Sequence, residues 1–271
     1  MNAPKLDAVP PPGRRAQITA ITSGKGGVGK TFISANLAAA LARLGKKVLV
    51  LDADLGLANL DVVLNLAPQR TLHDVFTAAC PLQDAIQPAP GGFEVLLAGS
   101  GMVEYSRMTP LVREQLLAVM AQVAPRYDHI LLDTGAGISD VVLFTVSLAD
   151  QVLMVATPEP TSLTDAYATL KVLASTQAAR PTFLVVNQTR RAGEGRGVRT
   201  QLQTVIERYL NPTLAQPLTL LLLGEVPSDA AVRDAVQRRQ LLLEAQPGAA
   251  ASLAVVAAAT RLAEHSEATP V

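Results

Sequence analysis

Gly24-Lys25-Gly26-Gly27-Val28-Gly29-Lys30-Thr31 is the stretch whose reading decides the fold. It matches the pattern G-x-x-x-x-G-K-[ST]. Upstream, residues 17–23 alternate and then run into the glycines, which reads as a short strand ending in a loop. Downstream, residues 30–44 place Ile33, Leu37, Ala40, Leu41 and Leu44 at helical spacing, and Gly45 closes the helix. Strand, glycine loop and helix in that order turn successive backbone N–H groups inward, and the helix adds its positive end. Both features favour a phosphate. Lys30 is placed to neutralise the β- and γ-phosphates, and Thr31 offers a hydroxyl to Mg²⁺. The nucleotide-binding residues on this reading are Gly24, Lys25, Gly26, Gly27, Val28, Gly29, Lys30 and Thr31, with Phe32 next in line.

Working outward, strands and helices alternate. Strands are expected at residues 47–52, 93–97, 129–133, 151–157, 182–187 and 218–223. Helices are expected at residues 111–123, 162–176, 198–210, 229–244 and 250–264. Such alternation means βαβ units: an α/β fold of three layers, with a mostly parallel sheet between helices. Ligands in such sheets lie at the carboxyl ends of the strands. Asp52, Asp133 and Asn187 all stand at expected strand ends. Mg²⁺ takes oxygen ligands, so Thr31, Asp52 and Asp133 form the expected metal set. Asp54 is placed to orient an attacking water, so Lys30 and Asp54 are expected catalytic residues; Lys25 by itself reads as an exposed lysine, and its catalytic place comes only with the family resemblance. Gly135 and Gly137 after Asp133 suit a loop that senses the γ-phosphate. Asn187 could pair with a purine edge, and the loop at Pro227 could wall the base. Asp229 reads either as part of that wall or as a helix cap.

The 271 residues are 49% hydrophobic and 17% charged, enough apolar material for a substantial core, which excludes a disordered chain. With no Trp, Ala, Val and Leu must build that core, as helices on a buried parallel sheet do. Formal net charge is zero, which argues against a uniform basic face for nucleic acid. The lone cysteine, Cys80, cannot form an internal disulfide, and the chain reads as reduced and cytoplasmic. No apolar run reaches the length of a membrane-spanning helix. Three segments are expected: a Pro-rich flexible leader at residues 1–15, a nucleotide-binding domain at 16–247, and a C-terminal helix and tail at 248–271. The polar, Gly-rich stretch at residues 190–197 is expected to fray.

With these residues in hand, the chain resembles the MinD/ParA group of deviant Walker-A P-loop NTPases of the SIMIBI class. The mark is the lysine at position 25 inside the glycine loop. More narrowly it is similar to the FlhG/FleN-type flagellar-number regulators. Residues 52–61 resemble that subgroup's switch I, residues 131–139 its switch II, and residues 157–167 a further FlhG-like segment. The resemblance implies a slow, Mg²⁺-dependent ATPase that cycles between ATP and ADP. ATP would bring two subunits face to face, with Lys25 reaching the partner's phosphates. It implies control of flagellar number and placement. The partners it implies are an FlhF-like GTPase, flagellar switch proteins or a FleQ-like regulator. It also implies peripheral contact with the inner face of the cell membrane through the C-terminal segment. The alternative within the group is a ParA/MinD-type ATPase for DNA partitioning or other cell positioning. Two departures stand out. The leader lacks the stretch that stimulates FlhF in FlhG proteins, and residues 250–264 carry only Arg261 as a basic residue, which predicts weak anchoring.

Overall fold

The computed structural model describes residues 15–56, 59–99 and 107–268. Residues 1–14 of the expected leader and 269–271 of the expected C-terminal segment lie outside the described residues, as do positions 57 and 58 of the expected switch I. Eight strands form one sheet in the order β3-β4-β2-β5-β1-β6-β7-β8. These are β1 (Gln17–Ser23), β2 (Val48–Ala53), β3 (Ile86–Pro88), β4 (Glu94–Leu96), β5 (His129–Ala136), β6 (Gln151–Ala156), β7 (Thr182–Thr189) and β8 (Leu220–Pro227). Every pair is parallel except β3 with β4. β1 lies between β5 and β6, so the glycine loop leaves the middle of the sheet.

Helices cover both faces. On one lie α1 (Lys30–Arg43), α2 (Leu60–Leu64), α9 (Ala230–Gln237), α10 (Leu242–Ala245) and α11 (Ala250–Ala268). On the other lie α3 (Leu72–Phe76), α4 (Leu82–Ala85), α5 (Pro110–Val123), α6 (Asp140–Ser147), α7 (Pro160–Thr176) and α8 (Glu194–Val205). The alanines of α1 and α11 let these helices approach closely: Ala35, Ala38, Ala39, Ala251 and Ala259 are all fully buried. The expected three-layer α/β architecture is what the chain adopts.

Several expectations change in detail. The expected helix at 229–244 is broken. Arg239 takes a left-handed backbone (φ 51°), and α10 starts afresh after it. Asn36 on α1 shows why: its Oδ1 accepts the Leu243 N–H at 3.1 Å, which seats Leu241, Leu242 and Leu243 in the core. Asp229 is a cap, and a double one, accepting from Ala231 N–H at the start of α9 and Ala251 N–H at the start of α11. The stretch at 190–197 does not fray. Both carboxylate oxygens of Glu225 accept amides there, from Gly193 and Gly195 at 2.8 Å each, and α8 begins at Glu194.

The C-terminal helix is part of the domain. Ala251, Val255, Ala258, Ala259 and Leu262 are buried against β8 and α1. Its apolar face is therefore committed to the core and not free for a lipid surface. Among the described residues no helix is long and apolar enough to cross a membrane. Both margins of the sheet are blunted. At β8 the Leu220 N–H donates to Gln203 Oε1, its carbonyl accepts from Arg199 Nε, and the Leu223 carbonyl accepts from Arg261. At the other margin β3 has three residues and ends in Pro88.

Candidate functional site

A cavity of about 860 Å³ opens above the carboxyl ends of β1, β2 and β5. Gly26, Gly27, Gly29, Lys30, Thr31 and Phe32 form one wall. Asp54 and Gly135 lie among the residues opposite. Two glycines are required by space. Gly29 is left-handed (φ 95°), and a Cβ there would collide with the Asn187 amide. A Cβ on Gly24 would collide with the α7 backbone at Asp165 and Ala166.

Lys30 stands at the base of the loop with its Nζ 3.0 Å from Ser23 Oγ, a neutral hydroxyl. Burial pulls its pKa down, and the fields of Asp133 and Asp54 work against that. A desolvated cation next to inward-facing amides is a donor set that fits a phosphate. The Ser23 hydroxyl donates in turn to the Lys25 carbonyl at 2.8 Å, tying the two ends of the loop together. Lys25 points elsewhere. Its Nζ lies 3.2 Å from Glu159 Oε2 and 3.1 Å from Thr161 Oγ1, at the start of α7 and outside the cavity.

The carboxylates sort into three positions. Asp54 lines the cavity, close against Gly135, whose added Cβ would sit 3.3 Å from Asp54 Oδ1. Asp133 is buried beneath the loop and accepts from Ser34 Oγ at 2.8 Å. Burial raises its pKa to about 6, against the pull of bonds from Ser34 and Thr31 and the charge of Lys30. Asp52 is deeper. Its oxygens take the Asp54 N–H at 3.2 Å and the Leu60 N–H at 3.4 Å, bracing the loop between β2 and α2. Burial first, then the neighbouring Asp133 carboxylate, hold Asp52 well above the usual carboxylate range.

Thr31 and Asp133 thus come together as a hard oxygen pair beside the phosphate loop, which suits Mg²⁺. Among the described residues no three His, Cys, Asp or Glu side chains gather as a self-sufficient metal cage. Mg²⁺ in nucleotide enzymes needs none, because it binds through one or two carboxylates and the substrate's phosphates. Asp52 sits deeper than Thr31 and Asp133 and braces the loop through the Asp54 and Leu60 amides. Asn187 is 6% exposed, and its Nδ2 donates to the Val28 carbonyl at 2.8 Å, so this half of its amide holds the loop. Pro227 ends β8 half-buried and does not line the cavity. Ser23, Ser34 and Glu159 are site residues that motif reading passed over. Ser34 carried a signal, since it lies four residues after Lys30 and hence on the same helix face.

The ParA family (NUBPL iron-transfer P-loop NTPase) matches residues 14–263. The antiactivator FleN of Pseudomonas aeruginosa is 41% identical over 91% of this chain and 86% of its own length. The chain belongs to the FleN branch of the ParA family. The flagellum site-determining protein YlxH of Helicobacter pylori is 33% identical over 84% of this chain and 75% of its own length. Among solved structures, the cell division ATPase MinD of Pyrococcus furiosus superposes with a TM-score of 0.76 at 27% identity, covering 92% of this chain and 99% of that one. MinD from Pyrococcus horikoshii, complexed with Mg-ADP, gives 0.75 at 25% identity over 93% and 97%.

Proposed function

We propose that the chain is an ATP-driven dimerisation switch that sets the number and placement of flagella. The observation that carries this reading is the division of labour between two lysines of one loop. Lys30 serves the cavity of its own chain. Lys25 is held outside that cavity on a pair whose side chains are 42% and 61% exposed, so it can be exchanged for a stronger anion at little cost. The phosphates of a second subunit are such an anion. FleN-type ATPases of this family bind and hydrolyse ATP, and the remaining residues here fit that chemistry. Asp54 at the cavity wall orients the water that attacks the γ-phosphorus, while Lys30 and the loop amides take up charge on the transferred group. Thr31 and Asp133 would hold Mg²⁺, which neutralises charge between the β- and γ-phosphates. Gly135 and Gly137 let the loop beside Asp54 respond when the γ-phosphate leaves.

The downstream partners fitting this reading are an FlhF-like GTPase, a flagellar switch protein or a FleQ-like regulator. The reading places the protein in the cytoplasm with at most weak peripheral contact at the membrane, since the apolar face of α11 is committed to the core. Two variants test the switch. With ATP, Asp54→Ala should elute as a dimer in sizing chromatography and release little phosphate, and Lys25→Ala should stay monomeric. An Asp54→Ala protein that turns over normally, or a Lys25→Ala protein that dimerises as well as the parent, overturns the assignment.

A further inference from the structure

Ser34 is fully buried and does not line the cavity. It lies on α1 three residues after Thr31 and four after Lys30, so all three share one face of the helix. A serine inside a helix usually returns its hydroxyl to the carbonyl one turn back. Here the hydroxyl crosses to the sheet and donates to Asp133 Oδ1 at 2.8 Å. Asp133 is 3% exposed and stands within β5, three residues before its end, where an anion without fixed donors is costly. Thr31 is near enough to help lower the Asp133 pKa, but its oxygen is the one offered to the cation, so it has two tasks. Ser34 has one.

We propose that Ser34 is the positioning residue for Asp133. It engages one carboxylate oxygen from below and leaves the other directed toward Thr31 and the metal position. Its effect on Mg²⁺ is exerted wholly through Asp133. This rests on the reading of the cavity as a Mg²⁺–nucleotide site. Groups that orient a metal's carboxylate from behind typically change metal affinity by ~10–100-fold when removed.

The test is a titration of the full chain with a fluorescent ATP analogue, at graded Mg²⁺ and in EDTA. In Ser34→Ala, the Mg²⁺ concentration that half-saturates the metal-dependent gain in nucleotide affinity should rise about tenfold. Affinity in EDTA should not move, because the loop amides and Lys30 are untouched. Ser34→Thr, which keeps the hydroxyl, should restore most of the loss. An unchanged Mg²⁺ requirement overturns the proposal, and so does an equal fall of affinity with and without metal, which would mark general damage to α1. Should Ser34→Ala fail to fold, Ser34→Cys, close in size and a weak donor, carries the same comparison. A parent protein whose nucleotide affinity ignores Mg²⁺ would instead overturn the reading of the site itself.

Discussion

Asp133→Asn should make the nucleotide-free protein more stable while impairing it as an enzyme. The Asp133 carboxyl is 3% exposed, and its pKa is raised from the ordinary 3.8 to about 6. Between those values the native state holds a proton that the unfolded chain has lost. The stability contributed by the protonated carboxyl therefore falls as pH rises through that window, and that contribution is gone above about 6. At about 1.4 kcal/mol per pH unit, the ionised side chain costs roughly 3 kcal/mol at neutral pH. Asparagine keeps the shape and the acceptor for Ser34. Its new N–H donors recover part of their desolvation on Thr31, leaving a net gain of about 2 kcal/mol. Removing the charge also relieves Asp52, which Asp133 repels. Urea denaturation in EDTA, without nucleotide, reads the effect directly. The variant should exceed the parent by about 2 kcal/mol at pH 7.5, and the difference should vanish toward pH 4.5. A variant less stable than the parent at pH 7.5, or a difference that does not change with pH, refutes the argument.

Gly135→Ala should lower turnover roughly three- to tenfold with ATP affinity intact, because the new methyl displaces Asp54 by a few tenths of an ångström; steady-state phosphate release against nucleotide titration separates the two, and a change confined to affinity counts against it. Leu262→Ala, at a fully buried position on α11, should cost about 2–5 kcal/mol in urea denaturation. Deleting residues 249–271 should lose the cooperative transition altogether. A truncated chain that melts like the parent would place α11 outside the core.

The parts of this protein legible in the sequence were those specified locally. The glycine loop, β1 and α1 follow from residues within one turn of each other, and the buried strands announced themselves as Val and Leu runs. What stayed hidden was specified from afar. Nothing near Arg239 signals a break; the reason is Asn36, on another helix. Residues 190–197 look loose until Glu225 on a distant strand supplies two acceptors. The helices α2, α3 and α4 have five, five and four residues, too short for a periodic pattern. α6 went unread because Asp140–Ser147 is apolar with little periodicity. In the site, Asp52 falls next to the end of β2, while β5 runs three residues past Asp133 and β7 two past Asn187. Their roles depended on which neighbours claimed each polar atom, and no spacing rule states that.

The blunted margins of the sheet bear on how this protein behaves when crowded. An uncapped strand edge is a template that adds further copies without limit and does not let go. Here Gln203, Arg199 and Arg261 occupy three backbone groups of β8 that such growth would use, and β3 is only three residues long. Molecules gathered at one spot in a cell then have fewer backbone groups to pair through, which favours reversible contact between side-chain surfaces. A device that has to count small numbers and reset needs that property: it can accumulate locally without setting into a deposit.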